Sequence, residues 1–315
     1  MIARSALIVG PARILRDPAG TPRSVHVREP FTVDLVKNTF PITLDGYGVI
    51  DARDEDMIAT CSFTPDGRWN ASSRALLWPY LSPTIGSDPF TSADVPTQIH
   101  DINNHLHTII ASAVTQMPSI FLGATATMIG QATITGIRAS AADWNDASSL
   151  YTAAATGGTF TDTAFVPSDI KTQDYTGAWG AVTGFTSIKT EAGWTVDFET
   201  GIEFIKVDEI GTCKASLTNV GVLARCTPIG MTLAAVLAAL DFQETTSARG
   251  KSGNALGADL VITGADAASI ITVKAAKLVR AGFRFGARTL RDGEIGFVAT
   301  RSFSSGEAGA LCTLA

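Results

Sequence analysis

At 315 residues the chain is long enough for one large domain or two ordinary ones, and 45% hydrophobic against 17% charged residues excludes an intrinsically disordered protein. The net charge of −6 argues against a protein that grips nucleic-acid phosphates, which would need an excess of Lys and Arg. It does not exclude a surface past which DNA slides.

The chain opens on "MIARSALIVGPARIL", an apolar strand stopped by Gly10 and Pro11. The apolar run is too short for a signal-peptide core. A long hairpin is predicted over 33–63, "VDLVKNTFPITLDGYGVIDARDEDMIATCSF". Its alternation in "PITLDGYG" sends Ile42 and Leu44 to one side and their neighbours to the other. A helix follows over 70–81, with Asn70 or Ser72 as N-cap and Pro79 near its end. A loop rich in Gly, Ser, Pro and Thr covers 82–97, and strands return over 106–117.

The same order then recurs. "SIFLGATA" at 119–126 reads like "ALIVGPAR" at 6–13. A second hairpin is predicted over 196–227, a helix over 232–242 with Thr232 as N-cap, a loop over 243–258, and strands over 271–283. "TVD" at 32–34 returns at 195–197, 163 positions on, and at that separation Ile42 meets Ile205, Asp45 meets Asp208 and Gly48 meets Gly211. Cys61 and Cys226 stand 165 apart, which implies a two-residue addition in the later hairpin. The pattern predicts an internal duplication. The expected domains are 1–118 and 119–315, the second carrying an inserted segment at about 139–193. That segment is expected to be peripheral and dispensable.

Chemistry is sparse. Cys61, Cys213, Cys226 and Cys312 form no Cys-x-x-Cys pair and read as reduced thiols of a protein folded in a cytoplasm. Gly250-Lys251-Ser252 resembles part of a phosphate-binding loop, but Thr245 stands where the motif needs Gly. His100, His105 and His107 cluster in sequence, and His105 and His107 would share a strand face. They read as a polar strand edge, without a fourth metal ligand. "DARDED" at 51–56 reads as a solvated hairpin tip rather than a calcium loop, and "GFRFGAR" at 282–288 as an amphipathic strand. The sequence therefore predicts no enzyme, cofactor or metal. Its longest apolar helix candidate, 231–240, is far shorter than the ~20 residues that span a bilayer, so no membrane association is expected.

The opening "LIVGPARI", the hairpin "VDLVKNTFPITLDGYGVIDARDEDMIATCSFTP", the single helix after it and the ending "TVKAAKLVRAGFRFGARTLRDGEIGFVAT" together resemble the major tail tube proteins of tailed phages, whose fold is shared with the tubes of type VI secretion and contractile injection systems. The resemblance covers the chain outside 139–193 and is carried by layout rather than by any single residue. It implies a mainly β chain of two tandem tail-tube-like β-sandwich or barrel domains, each with one flanking α-helix and long wall-forming hairpins. Single-copy members form hexameric rings, and fused two-copy members of some siphophages form trimeric ones, which the duplication matches. The resemblance further implies a structural virion protein, assembled in the host cytoplasm and located in the virion tail. Its rings would stack into the hollow conduit for DNA ejection. Its partners would be itself, a tape-measure protein, and tail terminator and distal tail proteins, with duplex DNA passing the lumen unbound.

On this reading Thr43, Asp45, Asp51, Asp54, Asp56, Lys206, Asp208 and Lys214 are candidates for the lumen wall. Asp88, Phe90, Arg249, Lys251 and Asn254, on the two long loops, and the arm 1–5 are candidates for contacts between subunits. The alternatives are a β-rich adhesin or capsid-decorating protein that binds through 139–193, and the tube protein of a contractile injection system.

Overall fold

The computed structural model describes residues 13–16, 23–28, 31–66, 69–90, 95–100, 105–137, 150–154, 170–181, 183–207, 211–240, 258–267, 270–285, 290–300 and 309–315. The protein is mainly β, with every pairing among the described strands antiparallel. The strands up to the first helix are β1 (Arg13–Arg16), β2 (Arg23–His26), β3 (Thr32–Leu44) and β4 (Gly48–Phe63), followed by α1 (Ala71–Leu77). Then come β5 (Thr97–His100), β6 (Leu106–Ile109), β7 (Ser112–Gln116), β8 (Ile120–Leu122), β9 (Thr127–Ile129), β10 (Ala132–Ile137) and β11 (Tyr151–Ala154). The remainder is β12 (Tyr175–Trp179), β13 (Thr190–Val207), β14 (Gly211–Pro228), α2 (Leu233–Leu240), β15 (Ala258–Gly264), β16 (Ile270–Phe285), β17 (Leu290–Val298) and β18 (Cys312–Leu314).

The described strands form three sheets, ordered β11-β6-β5-β1-β2, β3-β4-β10-β7 and β12-β15-β16-β17-β14-β13-β8-β9, with β18 beside β16. The pairings among the earlier strands recur among the later ones at a separation of 163. Ile14↔Ile99 returns as Gly177↔Ile262, and Ile14↔Val25 as Gly177↔Ile188. Ile134↔Cys61 returns as Phe297↔Ala224, and Val27↔Pro65 as Thr190↔Pro228. The long hairpins match along their whole length, from Thr32↔Ser62 and Thr195↔Arg225 to Leu44↔Gly48 and Val207↔Gly211. Even the irregularities agree: bulges fall after Asn38 and Ile42 in one hairpin and after Gly201 and Ile205 in the other.

Two details differ from the expectations above, and a third falls outside the described residues. The later hairpin has no two-residue addition. A shift of two preserves the inside/outside alternation of a strand, so the apolar pattern around Cys61 and Cys226 fits a separation of 163 or 165 equally well. The strand at 119–126 contains β8, which pairs with the edge of β13, while its expected counterpart at 6–13 lies outside the described residues except for Arg13; β12 holds the place that β1 holds earlier. The segment 139–193 is not all peripheral. It supplies β11 to β6 and β12 to β15, and Trp179 in β12 is fully buried with its indole N–H donating to the Ala276 carbonyl at 2.9 Å.

The helices are placed much as their caps dictate. Asn70 accepts from the Ser73 N–H at 2.9 Å, and the Ser73 hydroxyl accepts from the Asn70 N–H at 3.1 Å, a reciprocal capping box. α1 stops at Leu77, short of the expected 81, because Pro79 has no N–H to continue it. Thr232 accepts from the Ala235 N–H at 3.3 Å to start α2. The core runs continuously beneath both sets of strands. It is centred in the later set on Phe297, whose ring lies 5.2 Å from Trp179, 6.2 Å from Phe185 and 6.4 Å from Trp194.

Candidate assembly surface

Each long hairpin runs well beyond the strands that flank its base. β10 pairs with β4 only from Ile58 to Phe63, and β17 with β14 only from Leu223 to Cys226. The projecting parts meet different fates. The β13–β14 projection lies on the earlier strands of the same chain. Ile202, Phe204 and Ala215 pack with Phe90, Ala113 and Ile137, and the Phe90 and Phe204 rings are 6.2 Å apart. The loop after α1 joins in as a short strand-like pairing: the Gly86 N–H donates to the Leu217 carbonyl at 2.9 Å, and the Leu217 N–H donates to the Ser87 carbonyl at 2.9 Å. Nearer the base, Phe198 lies 5.9 Å from Trp78, whose indole N–H donates to the Pro118 carbonyl at 2.8 Å.

Among the described residues the β3–β4 projection has no such cover. Leu35 is 58% exposed and Met57 44%, whereas their counterparts 163 positions on, Phe198 and Val220, are 7% and 9% exposed. Phe40, Ile42, Leu44, Tyr47, Val49 and Ile50 are exposed as well, and they lie on both faces of the ribbon. Among the described strands β3 is also the edge of its sheet. Isolated apolar side chains on a surface need no account, but a two-faced apolar ribbon with an open edge is a surface built for contact.

The expected lumen-wall residues fall on these ribbons. Thr43 and Asp51 lie on β3 and β4, Asp45 in the turn between them, and Lys206 and Lys214 on β13 and β14; all five are exposed. Asp54 and Asp56 are on β4 with side chains outside the described residues, as is Asp208 altogether. Of the expected contact residues, Asp88 accepts from the Phe90 N–H at 2.9 Å, and Phe90 is buried against the later hairpin of its own chain. Arg249, Lys251, Asn254 and the arm 1–5 lie outside the described residues, as does the Gly-Lys-Ser stretch. The polar wall candidates left out the apolar side chains that dominate the ribbon. The signal was present in "VDLVKNTFPITL", where apolar residues occupy both parities of one strand, as they do in strands covered on both faces.

The titratable groups nearby are quiet. Burial pushes the Cys61 and Cys312 thiols up to about 12 and the Cys226 thiol higher still, helped by Glu294, so all three are protonated free thiols. His107 is hydrogen-bonded to the Tyr151 hydroxyl at 2.7 Å and lies on β6, while His105 precedes that strand. Burial raises the Tyr151 pKa, and Cys61 adds to it. Among the described residues no group of three or more His, Cys, Asp or Glu stands together as metal ligands, and no helix is long and apolar enough to cross a membrane. No protein-family model matches this sequence, and no curated protein matches it either.

Proposed function

We propose that this chain is the major tail tube subunit of a tailed phage, a structural protein without catalytic activity or cofactor. Three chains would form a ring in which each contributes two equivalent wall segments, and rings would stack head to tail into a hollow conduit. The observation that carries the reading is the recurrence of the whole hairpin, bulges included, at a separation of 163, with one copy's apolar faces covered in the chain and the other's open. A solitary binding protein has no use for such a pair, whereas a ring built from two wall segments per chain requires it. On this reading the tube encloses a tape-measure protein, is bounded by terminator and distal tail proteins, and lets duplex DNA pass without binding it. It is assembled in the host cytoplasm and becomes part of the virion tail.

Electron microscopy of the purified protein, concentrated to favour assembly, tests this. Uniform hollow rods whose end-on views show six wall lobes from three chains are expected. A protein that stays monomeric at every concentration, or rings of six chains, would refute it.

A further inference from the structure

The contact between the two sets of strands within one chain is a worked example of how a hairpin of this shape is received. β13–β14 lies across the face made by β4, β10 and β7, where Thr135, Ile137 and Ala113 are buried beneath it. The later set contains the corresponding face. Ala113 stands opposite Thr135, and in the same place Lys277 stands opposite Val298. That face is less covered: Lys277, Val298 and Thr300, which stands at the place of Ile137, are half-buried where Ala113, Thr135 and Ile137 are buried, and Val279 is 55% exposed.

One chain thus carries an exposed hairpin and a partly exposed receiving face, of the two kinds that it joins internally. They do not meet within the chain, where Leu35, Met57 and Val279 all stay exposed. We propose that the β3–β4 hairpin seats on the β14–β17–β16 face of a second copy of this chain, repeating between chains the contact that β13–β14 makes within one. The proposal rests on the tube reading only for the number of copies in a ring, since the contact follows from the two open surfaces. Thr39, Pro41 and Ala52 take the places of Ile202, Phe204 and Ala215, Leu35 and Met57 those of Phe198 and Val220 nearer the base, and the edge strand β3 is covered. The two surfaces differ, so the contact is heterologous. It does not saturate in a symmetric dimer but continues from chain to chain until a ring closes. Each step equals the step inside the chain, so wall segments alternate, first and second, around that ring.

The test uses two variants and their mixture. Leu35→Asp with Met57→Asp spoils the hairpin, and Val279→Asp spoils the receiving face; all three positions are exposed, so the fold has no reason to fail. Near-ultraviolet circular dichroism and the urea midpoint should match wild type, and a variant that departs is replaced by Leu35→Lys or Val279→Lys. Sedimentation should show wild type forming species larger than dimers and each variant weakened at least about 100-fold, the effect of charging a desolvated apolar contact. A one-to-one mixture retains one sound pair of surfaces, so it should stop at a heterodimer. Folded variants that assemble like wild type, or a Val279→Asp variant that assembles normally while the hairpin variant does not, would overturn the proposal. If wild-type rods form and the variants still form them, the contact is wrong and the tube reading stands. If the variants dissolve assemblies that are not hollow rods, the contact stands and the tube reading falls.

Discussion

Replacing Phe297 by Ala probes the packing on which the later set of strands depends. The ring is fully buried and in contact with Trp179, Phe185 and Trp194, with edge-on geometry toward the first two. Phe→Ala in a core costs about 3–5 kcal/mol, and edge-to-face pairs contribute about 0.5–1.5 kcal/mol beyond area, which puts this site at about 4 kcal/mol. With a urea m-value of about 3 kcal/mol/M for a chain of this size, the midpoint should fall by about 1.3 M. Tryptophan fluorescence reports it directly, because Trp179 and Trp194 flank the lost ring. The volume-sparing change Phe297→Leu should cost less than half as much. A fall below about 0.5 M for Ala at unchanged m would refute the view that this aromatic cluster holds the later set together.

Raising the pH should unfold the protein through its thiols. An unfolded chain ionises Cys61, Cys226 and Cys312 near 9.0 while burial keeps them protonated in the fold. Above that pH the unfolded state binds fewer protons, and stability falls by up to about 1.4 kcal/mol per pH unit per thiol. Urea midpoints should hold to about pH 8.5 and drop by about pH 10, more shallowly in Cys61→Ala; a flat profile through pH 10 would count against it. Gly177→Ala should destabilise by at least about 1–3 kcal/mol, because a Cβ there would drive into the Trp194 ring; thermal melts decide, and an unchanged midpoint would show that the indole yields. A fragment ending at 118 should fail to fold, since it lacks β10, the partner of both β4 and β7. A sharp, dispersed amide NMR spectrum from that fragment would contradict this.

The hairpins and helices were legible because they announce themselves locally: "TVD" twice, alternation up to a Gly-rich turn, and caps at Asn70 and Thr232. The mainly β class followed from the same signals. Short strands in loop-like sequence were not legible. β12 is "YTGAW", a run whose small residues look like an insertion, yet Gly177 is there because the Trp194 ring leaves no room for a side chain. The partner of β8 was hidden for a different reason: an apolar "IFL" is equally suited to any open edge, and only the whole fold shows that the edge is β13. The candidate surface was half legible. Its hairpins were found, but polar side chains were singled out because charge is conspicuous in sequence, whereas exposure of Leu35 or Met57 is a property of what does not cover them.

The path of the chain through β7 to β13 sets a timetable for folding. β7 belongs to the β3–β4 sheet, β8 and β9 leave it to reach β13, and β10 comes back between β4 and β7. During synthesis β10 is therefore at hand almost as soon as it emerges. The β8–β9 hairpin must wait for a partner strand that begins at Thr190. At about 5–20 residues per second that wait is several seconds, long on the scale of hairpin formation in microseconds. Throughout it the chain displays a bare, apolar strand edge beside a half-built core. In a cell producing many copies at once, that interval is when chains capture one another wrongly, and yield of soluble subunit will be governed by elongation speed and chaperone supply before final stability matters.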